Sequence, residues 1–128
     1  MEKAEGSLML IDTNLFVDHL RNYAPAVDFF EHLNDASFSA ITESELLAGT
    51  ANNSAEKRDK LLHFLRRWKK ISVDNPLVMV AGDLSRNHGI EIPDAIIAAS
   101  ALVHNLELIT RNVKDFKDIP HLRVRSPY

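Results

Sequence analysis

Four acidic side chains have the type and the spacing along the chain to do chemistry together. Asp12 ends the apolar run at 8–11, Glu45 lies in a helix-forming segment, Asp94 opens a nearly polar-free segment, and Asp115 follows a second apolar run at 106–109. Carboxylates that meet repel one another unless a cation lies among them. Their oxygen ligands suit Mg²⁺ or Mn²⁺. Such a cluster can hydrolyse a phosphodiester in line, because the metal lowers the pKa of a bound water.

Each acid also has a simpler explanation. Asp12 could cap the following helix, and Asp94 could favour a helix start through the helix dipole. Thr42 and Glu45 have the spacing of a capping box, which would account for Glu45 by itself. Asp115 taken alone is expected to be solvent-exposed. The occurrence of all four is what favours a shared site.

The elements that must position these acids alternate between strand and helix. The apolar run at 8–11 has no polar break, which is typical of a strand buried on both faces in a parallel sheet. Further strands are predicted at 36–40, 71–73, 106–109 and 122–124, with helices at 13–21, from Pro25, at 42–49, 54–70, 75–87 and 94–102. Within the predicted 54–70 helix, Leu61, Leu65 and Trp68 share one buried face. The pattern predicts an α/β fold, a three-layer α/β/α sandwich around a short-stranded parallel sheet.

In open α/β sheets, ligands bind at the carboxyl ends of the strands. Asp12, Glu45 and Asp115 all follow predicted strands and are therefore expected at that edge. Asp94 reaches it only if the helix that precedes it crosses the sheet.

Composition limits the protein class. The 128 residues, 45% hydrophobic and 26% charged, fit one ordinary globular domain at 9–128, with 1–8 as a loose N-terminal extension. The absence of cysteine excludes disulfides and thiolate metal sites and favours a cytoplasmic setting. The six histidines form no HxxxH-type pair, which disfavours zinc. No apolar run approaches the roughly 20 residues of a membrane span.

Charge leaves the choice of partner open. The net charge of −3 gives no general attraction to nucleic acid, yet it permits a nuclease whose acidic centre is neutralised by metal ions. Arg111 and Lys114 lie beside the proposed site and are candidates to contact an RNA phosphate. Seven basic residues of the predicted 54–70 helix and its end could track an RNA backbone or form a solvated face: Lys57, Arg58, Lys60, Arg66, Arg67, Lys69 and Lys70.

Four sequence blocks resemble the signature blocks of PIN-domain ribonucleases, and their order and spacing resemble the VapC toxins of toxin–antitoxin pairs. They are LIDTN, ITESELLAG, IPDAIIAASAL and LITRNVKDF, and the resemblance covers 9–127. It implies an endoribonuclease that uses Mg²⁺ or Mn²⁺ and acts on RNA. It also implies a homodimer and a small cognate antitoxin that occupies a groove and blocks the acidic site.

The resemblance also assigns residues. Asp12, Glu45 and Asp94 match the family's first three acidic positions, and the Thr-x-x-Glu-Leu pattern favours Glu45 over Glu43. Many members have an aspartate where this chain has Asn112.

Others have asparagine there and an acid three residues later, so Asp115 is predicted as the fourth carboxylate and metal ligand, with Asn112 as a polar positioner. The number of metals stays open. Thr13 and Thr110 resemble hydroxyl residues that orient carboxylates or water, although caps and turns would explain them equally well.

The predicted helices at 13–21 and from Pro25 carry more apolar residues than the packing of one small sheet face requires: Phe16, Leu20, Phe29, Phe30 and Leu33. Most of them are expected in the core, and some are expected to line a groove for a partner.

Other functions remain in play. A PIN-type RNA-processing nuclease without an antitoxin would use the same residues. A phosphoacceptor module wants a lysine after a late strand, where the chain has Thr110, Arg111 and Asn112. A phosphatase of the Asp-x-Asp type is disfavoured because Asn14 replaces the second acid. A non-catalytic α/β binding protein is a further alternative.

Overall fold

Five short strands form one parallel sheet in residues 8–49 and 53–128, which are the residues that the computed structural model describes. The strands are β1 (Met9–Ile11), β2 (Ser37–Ser39), β3 (Lys69–Ile71), β4 (Glu107–Ile109) and β5 (Val124–Arg125). Their order is β3-β2-β1-β4-β5, and every pairing is parallel. The apolar run that predicted a buried strand is therefore the centre of the sheet.

Helices connect the strands and cover both faces. In the described residues they are α1 (Thr13–Leu20), α2 (Ala24–Glu31), α3 (Ala40–Leu47), α4 (Ala55–Leu65), α5 (Asn75–His88), α6 (Ile92–Val103) and α7 (Val113–Phe116). One core contains Phe16, Phe30 and Trp68 from α1, α2 and the turn after α4. The other contains Leu77 and Ala98 from α5 and α6. The predicted three-layer α/β/α sandwich is confirmed.

The strand order creates a crevice beside β1. The chain runs outward from β1 to β2 and β3 and then returns to place β4 on the other side of β1. Parallel sheets bind ligands where the order reverses in this way, at the carboxyl ends of the strands. Asp12 and Thr110 follow the two strands that flank this point.

The boundary between α4 and β3 differs from the prediction. The helix ends at Leu65 instead of Lys70, and the strand occupies Lys69–Ile71 instead of 71–73. The backbone N–H of Lys69 donates to the carbonyl oxygen of Ala36 at 3.1 Å, and this bond helps to pair Lys69 and Lys70 with β2 at the edge of the sheet. Their exposed side chains give no strand pattern in the sequence. The predicted burial of Leu61, Leu65 and Trp68 is confirmed.

Other ends shift by one or two residues. Asp74 caps α5 in place of Asn75, because its side chain accepts from the N–H of Leu77 at 3.3 Å. Gly89, at φ 66°, ends that helix in the left-handed conformation that glycine adopts without steric cost. The last strand lies at Val124–Arg125 instead of 122–124, and the four-residue α7 was not predicted. The start of α6 at Ile92 puts Asp94 inside its first turn.

Residues 1–7 lie outside the described residues, so the predicted extension at 1–8 and the domain at 9–128 stay predictions. None of the described helices combines the length and the apolar character that crossing a bilayer requires.

Candidate active site

A cavity of about 280 Å³ opens at the carboxyl edge of the sheet and brings three of the predicted acids together. Its lining residues are Asp12, Thr13, Asn14, Val17, Glu45, Asp94, Arg111 and Asn112. They come from the ends of β1 and β4 and from α1, α3 and α6. Asp115 and Lys114 are outside this lining.

Asp12 is the buried carboxylate of the cavity, with 6% of its surface exposed. Oδ1 accepts from the backbone N–H of Thr13 at 2.7 Å, and Oδ2 accepts from the hydroxyl of Thr110 at 2.8 Å. Burial raises the pKa of Asp12 to about 6 against the lowering effect of these hydrogen bonds, and the charges of Asp94 and Glu45 raise it further. Asp12 therefore caps α1, as the simpler explanation has it, and also lines the acidic cavity.

Thr110 fixes the orientation of Asp12. It is fully buried, and its hydroxyl oxygen accepts from Asn14 Nδ2 at 3.2 Å and from the N–H of Asn112 at 3.0 Å. With both lone pairs engaged, its single proton goes to Asp12. Asn14 is a cavity residue that sequence reasoning missed. Its place two residues after Asp12, in the first turn of α1, was the available signal.

Glu45 is held by a pair of threonines. The hydroxyl of Thr13 donates to Glu45 Oε1 at 2.7 Å and lies 2.9 Å from the hydroxyl of Thr42. Because the one proton of Thr13 goes to Glu45, Thr42 is the donor of the second bond. Thr13 thus orients a carboxylate.

The predicted capping box of Thr42 and Glu45 is wrong. Helix α3 begins at Ala40, and its cap is Ser39, three residues before Thr42. The side chain of Ser39 accepts from the N–H of Ile41 at 3.2 Å. Thr42 is fully buried. The neighbouring Glu43 pairs with Lys70 at 3.1 Å, so it is Glu45 that lines the cavity.

Asp94 reaches the edge of the sheet, which the sequence left conditional. It lies in the first turn of α6 and is partly buried. Burial raises the pKa of Asp94, and the charges of Asp115, Glu45 and Glu91 raise it further. Asp115, an exposed residue of α7, is therefore close enough to act on Asp94 although it does not line the cavity.

Arg111 brings a positive charge to the cavity. Its Nε lies 2.8 Å from Asp18 Oδ2, and 45% of its side chain is exposed. Asp18, which holds this guanidinium, is a second residue that sequence reasoning missed, since nothing local in α1 marks it. Lys114 is exposed on α7.

Comparison with known proteins identifies the family. The family profile of the PIN domain matches residues 9–122, which is most of the chain. The chain is 33% identical over 130 residues to "Ribonuclease VapC19" of Mycobacterium tuberculosis, covering 94% of this chain and all of the relative. This chain belongs to the PIN-domain family, in its VapC branch. "Ribonuclease VapC1" of Rickettsia felis is 32% identical, with 91% and 93% of the two chains covered.

Solved structures give the same result for the fold. A toxin–antitoxin complex from Klebsiella pneumoniae contains a chain with a TM-score of 0.81 and 31% identity, covering 94% of this PIN domain chain and 98% of that chain. VapBC2 from Rickettsia felis, bound to a DNA fragment from its promoter, gives a TM-score of 0.76 and 26% identity, with 92% and 97% covered. The resemblance seen in the four sequence blocks is confirmed.

The acidic cavity of this PIN domain has the donor chemistry of a hard-cation site. Its charged donors are carboxylate oxygens from Asp12, Glu45 and Asp94. Burial is the main cause of the raised pKa of Asp12 and of Asp94, and the charges of the neighbouring acids raise both further. Within residues 8–49 and 53–128, no three acidic or histidine side chains form a ready-made metal group. Mg²⁺ is often held by only one or two carboxylates with water completing its shell, so the oxygen donors of this cavity suit that ion.

Proposed function

We propose that this PIN domain is an endoribonuclease that hydrolyses phosphodiester bonds of RNA with Mg²⁺ or Mn²⁺ at the acidic cavity. The observation that carries the proposal is the convergence of Asp12, Glu45 and Asp94 on one cavity at the crevice between β1 and β4. The relatives named as ribonucleases support it.

The three cavity carboxylates would hold the cation. Asp115, outside the cavity lining, would contribute through the effect of its negative charge on Asp94. When bound, a divalent cation supplies Lewis-acid stabilisation of charge on the reacting phosphoryl group. Thr110 and Thr13 keep Asp12 and Glu45 in fixed orientations by donating hydrogen bonds to them. This preorganisation matters because a small displacement of a catalytic group costs much of the rate.

Arg111 is our candidate to bind the phosphate. It lines the same cavity as the three carboxylates, and its guanidinium can donate charge-assisted hydrogen bonds to non-bridging oxygens. Lys114 is exposed on the following helix and adds positive charge to the approach. Asn112 offers an amide in the same wall as a polar positioner.

The experiment is RNA cleavage by wild type and Asp94→Asn with Mg²⁺ or Mn²⁺. We expect Asp94→Asn to lose at least about 100-fold in rate, the scale of removing one preorganised charge-stabilising group. Asp35→Asn is the matched control, because it makes the same change at an exposed residue before β2, at the opposite edge of the sheet. Cleavage by a folded Asp94→Asn variant at the wild-type rate would contradict the proposal.

We further propose that the chain acts as the toxin of a toxin–antitoxin pair and forms a homodimer. The similar chains in solved toxin–antitoxin complexes support the toxin role, and the homodimer rests on the family resemblance. Of the five apolar residues considered for a partner groove, Phe16, Phe30 and Leu33 are core, whereas Leu20 is 47% exposed and Phe29 is only partly buried. These two are the candidates to contact an antitoxin. A neighbouring reading frame for a small DNA-binding protein separates this role from RNA processing without an antitoxin.

A further inference from the structure

A second cavity shares a wall with the acidic cavity. It has a volume of about 420 Å³ and is lined by Asp18, Tyr23, Arg111, Asn112, Ser126 and Tyr128. Arg111 and Asn112 line both cavities. An RNA whose phosphate is bound at the acidic cavity continues on both sides of it, so the next nucleotide must lie against a neighbouring surface.

The guanidinium between the two cavities is held in one place. Asp18 is 9% exposed, and its Oδ2 lies 2.8 Å from Nε of Arg111. The ion pair is made at Nε, so the four N–H donors of the two Nη atoms remain available to a second anion. Asp18 thus holds the guanidinium in position and leaves donors available for a phosphate.

Tyr128 completes the support of Asp18. Its hydroxyl donates to the same Oδ2 at 2.8 Å. Burial raises the pKa of Tyr128, and the hydrogen bond to Asp18 raises it further, so the hydroxyl stays protonated and remains a donor at neutral pH. The segment after β5 is in this way tied to α1 and to Arg111.

Aromatic surface lies on the same cavity. The ring centroids of Tyr23 and Tyr128 are 5.6 Å apart with a 59° angle between the planes, which leaves no room for a base between them. Tyr23 is 50% exposed, so a base can stack on its outer face. Unstacked RNA bases are commonly bound on aromatic rings in this manner.

We propose that this second cavity is the subsite for the nucleotide next to the scissile phosphate of a single-stranded RNA. Tyr23 stacks on the base, Arg111 binds the phosphate between the two cavities, and Asp18 with Tyr128 positions Arg111. The inference rests on the proposed ribonuclease function. A purely structural role of the same contacts would affect stability without any dependence on a particular base.

The test uses a labelled oligoribonucleotide that spans the cleavage position mapped for wild type, together with versions that are abasic at one flanking nucleotide each. We expect Tyr23→Ala to raise KM about tenfold, the lower part of the range for base stacking, with the effect on KM and not on kcat. Tyr23→Phe keeps the ring and should restore KM. At one abasic position, wild type and Tyr23→Ala should have equal KM.

A double-mutant cycle tests the positioning role of Tyr128. Tyr128→Phe should raise KM on all the RNAs alike, because it acts on the phosphate through Arg111. In an Arg111→Ala background the same substitution should add nothing, since groups that act through one another are not additive.

The outcomes separate the two proposals. If wild type does not cut, or Asp94→Asn cuts equally well, the ribonuclease function fails. If wild type cuts and Asp94→Asn does not, two results overturn the subsite. One is an unchanged KM for Tyr23→Ala, and the other is a KM increase that persists at every abasic position.

Discussion

The environment of Asp12 acts on the pKa of its carboxylate in two opposite directions. Hydrogen bonds from Thr13 and Thr110 favour its charged form, while burial and the nearby Asp94 and Glu45 disfavour it. Burial and the nearby negative charges together outweigh the hydrogen bonds, so the pKa of Asp12 is raised to about 6. A cation among these carboxylates would reverse that balance, so the cost of keeping Asp12 ionised is a property of the metal-free protein.

This balance predicts how stability depends on pH in a chelator. The folded pKa of Asp12, about 6, lies above its ordinary value of 3.8, so the native state holds the proton longer than the unfolded chain. The free energy of unfolding should therefore fall as pH rises from about 4 to about 6. The full effect is about 3 kcal/mol.

The measurement is urea denaturation at several pH values for wild type and Asp12→Asn, without divalent cations. The wild-type curve should decline more steeply than that of the variant across the window, whereas Asp35→Asn should follow wild type. Parallel curves for wild type and Asp12→Asn would show that Asp12 does not carry the dependence.

Asp12 and Asp94 could be picked out from the sequence because each is marked by its neighbours along the chain. Asp12 follows an apolar strand, and Asp94 opens an apolar helix. The residues that support them were not marked, since Asn14 acts on Thr110 and Asp18 acts on Arg111, each more than 90 positions away. Contacts at such separations are set by the strand order, which no local pattern shows.

Helix α3 positions Glu45. Where this helix begins depends on which hydroxyl side chain caps it. Ser39 and Thr42 both precede helix-forming residues, and Thr42 with Glu45 imitates a capping box. The structure resolves the choice by burial and pairing, because β2 extends through Ser39 and the hydroxyl of Thr42 bonds to Thr13. A sequence pattern cannot show that Thr42 meets a residue 29 positions away.

The helix start predicts a stability difference. Ser39→Ala removes the acceptor for the N–H of Ile41 and should lower the free energy of unfolding by about 1 kcal/mol, the usual effect of losing an N-cap. Thermal or urea denaturation of the variant measures it. Thr42→Ser, which keeps the hydroxyl near Thr13 but deletes a buried methyl group, is the comparison. No loss of stability in Ser39→Ala would contradict the assignment of the cap.

The edge strands and short helices were the least predictable elements. Strand β3 consists of two exposed lysines and one buried isoleucine, so it has neither an apolar run nor an alternation to reveal it. Helix α7 spans four residues, too few for a helical period. Strand β1 and helix α6 were predictable because extensive burial leaves a nearly continuous apolar sequence in each.

At the scale of the whole molecule, the strand order assembles the site. Because β1 and β4 are neighbours at the point where the order reverses, Asp12 and Thr110 meet across 98 positions of sequence. The two cavities lie side by side at this edge and share the wall formed by Arg111 and Asn112. With a net charge of −3, the proposed binding of RNA would depend on such local features and on bound cations, because the chain has no general positive field.

We propose that the acidic cavity hydrolyses RNA with water as the nucleophile and a divalent cation as the cofactor. The most direct measurement is the end-group chemistry of the RNA fragments released by wild type with Mg²⁺ or Mn²⁺ and with a chelator. We predict cleavage only with the cation, and fragments without 2′,3′-cyclic phosphate, because water and not the 2′-hydroxyl attacks phosphorus. Cyclic phosphate ends, or equal cleavage in the chelator, would contradict the claim.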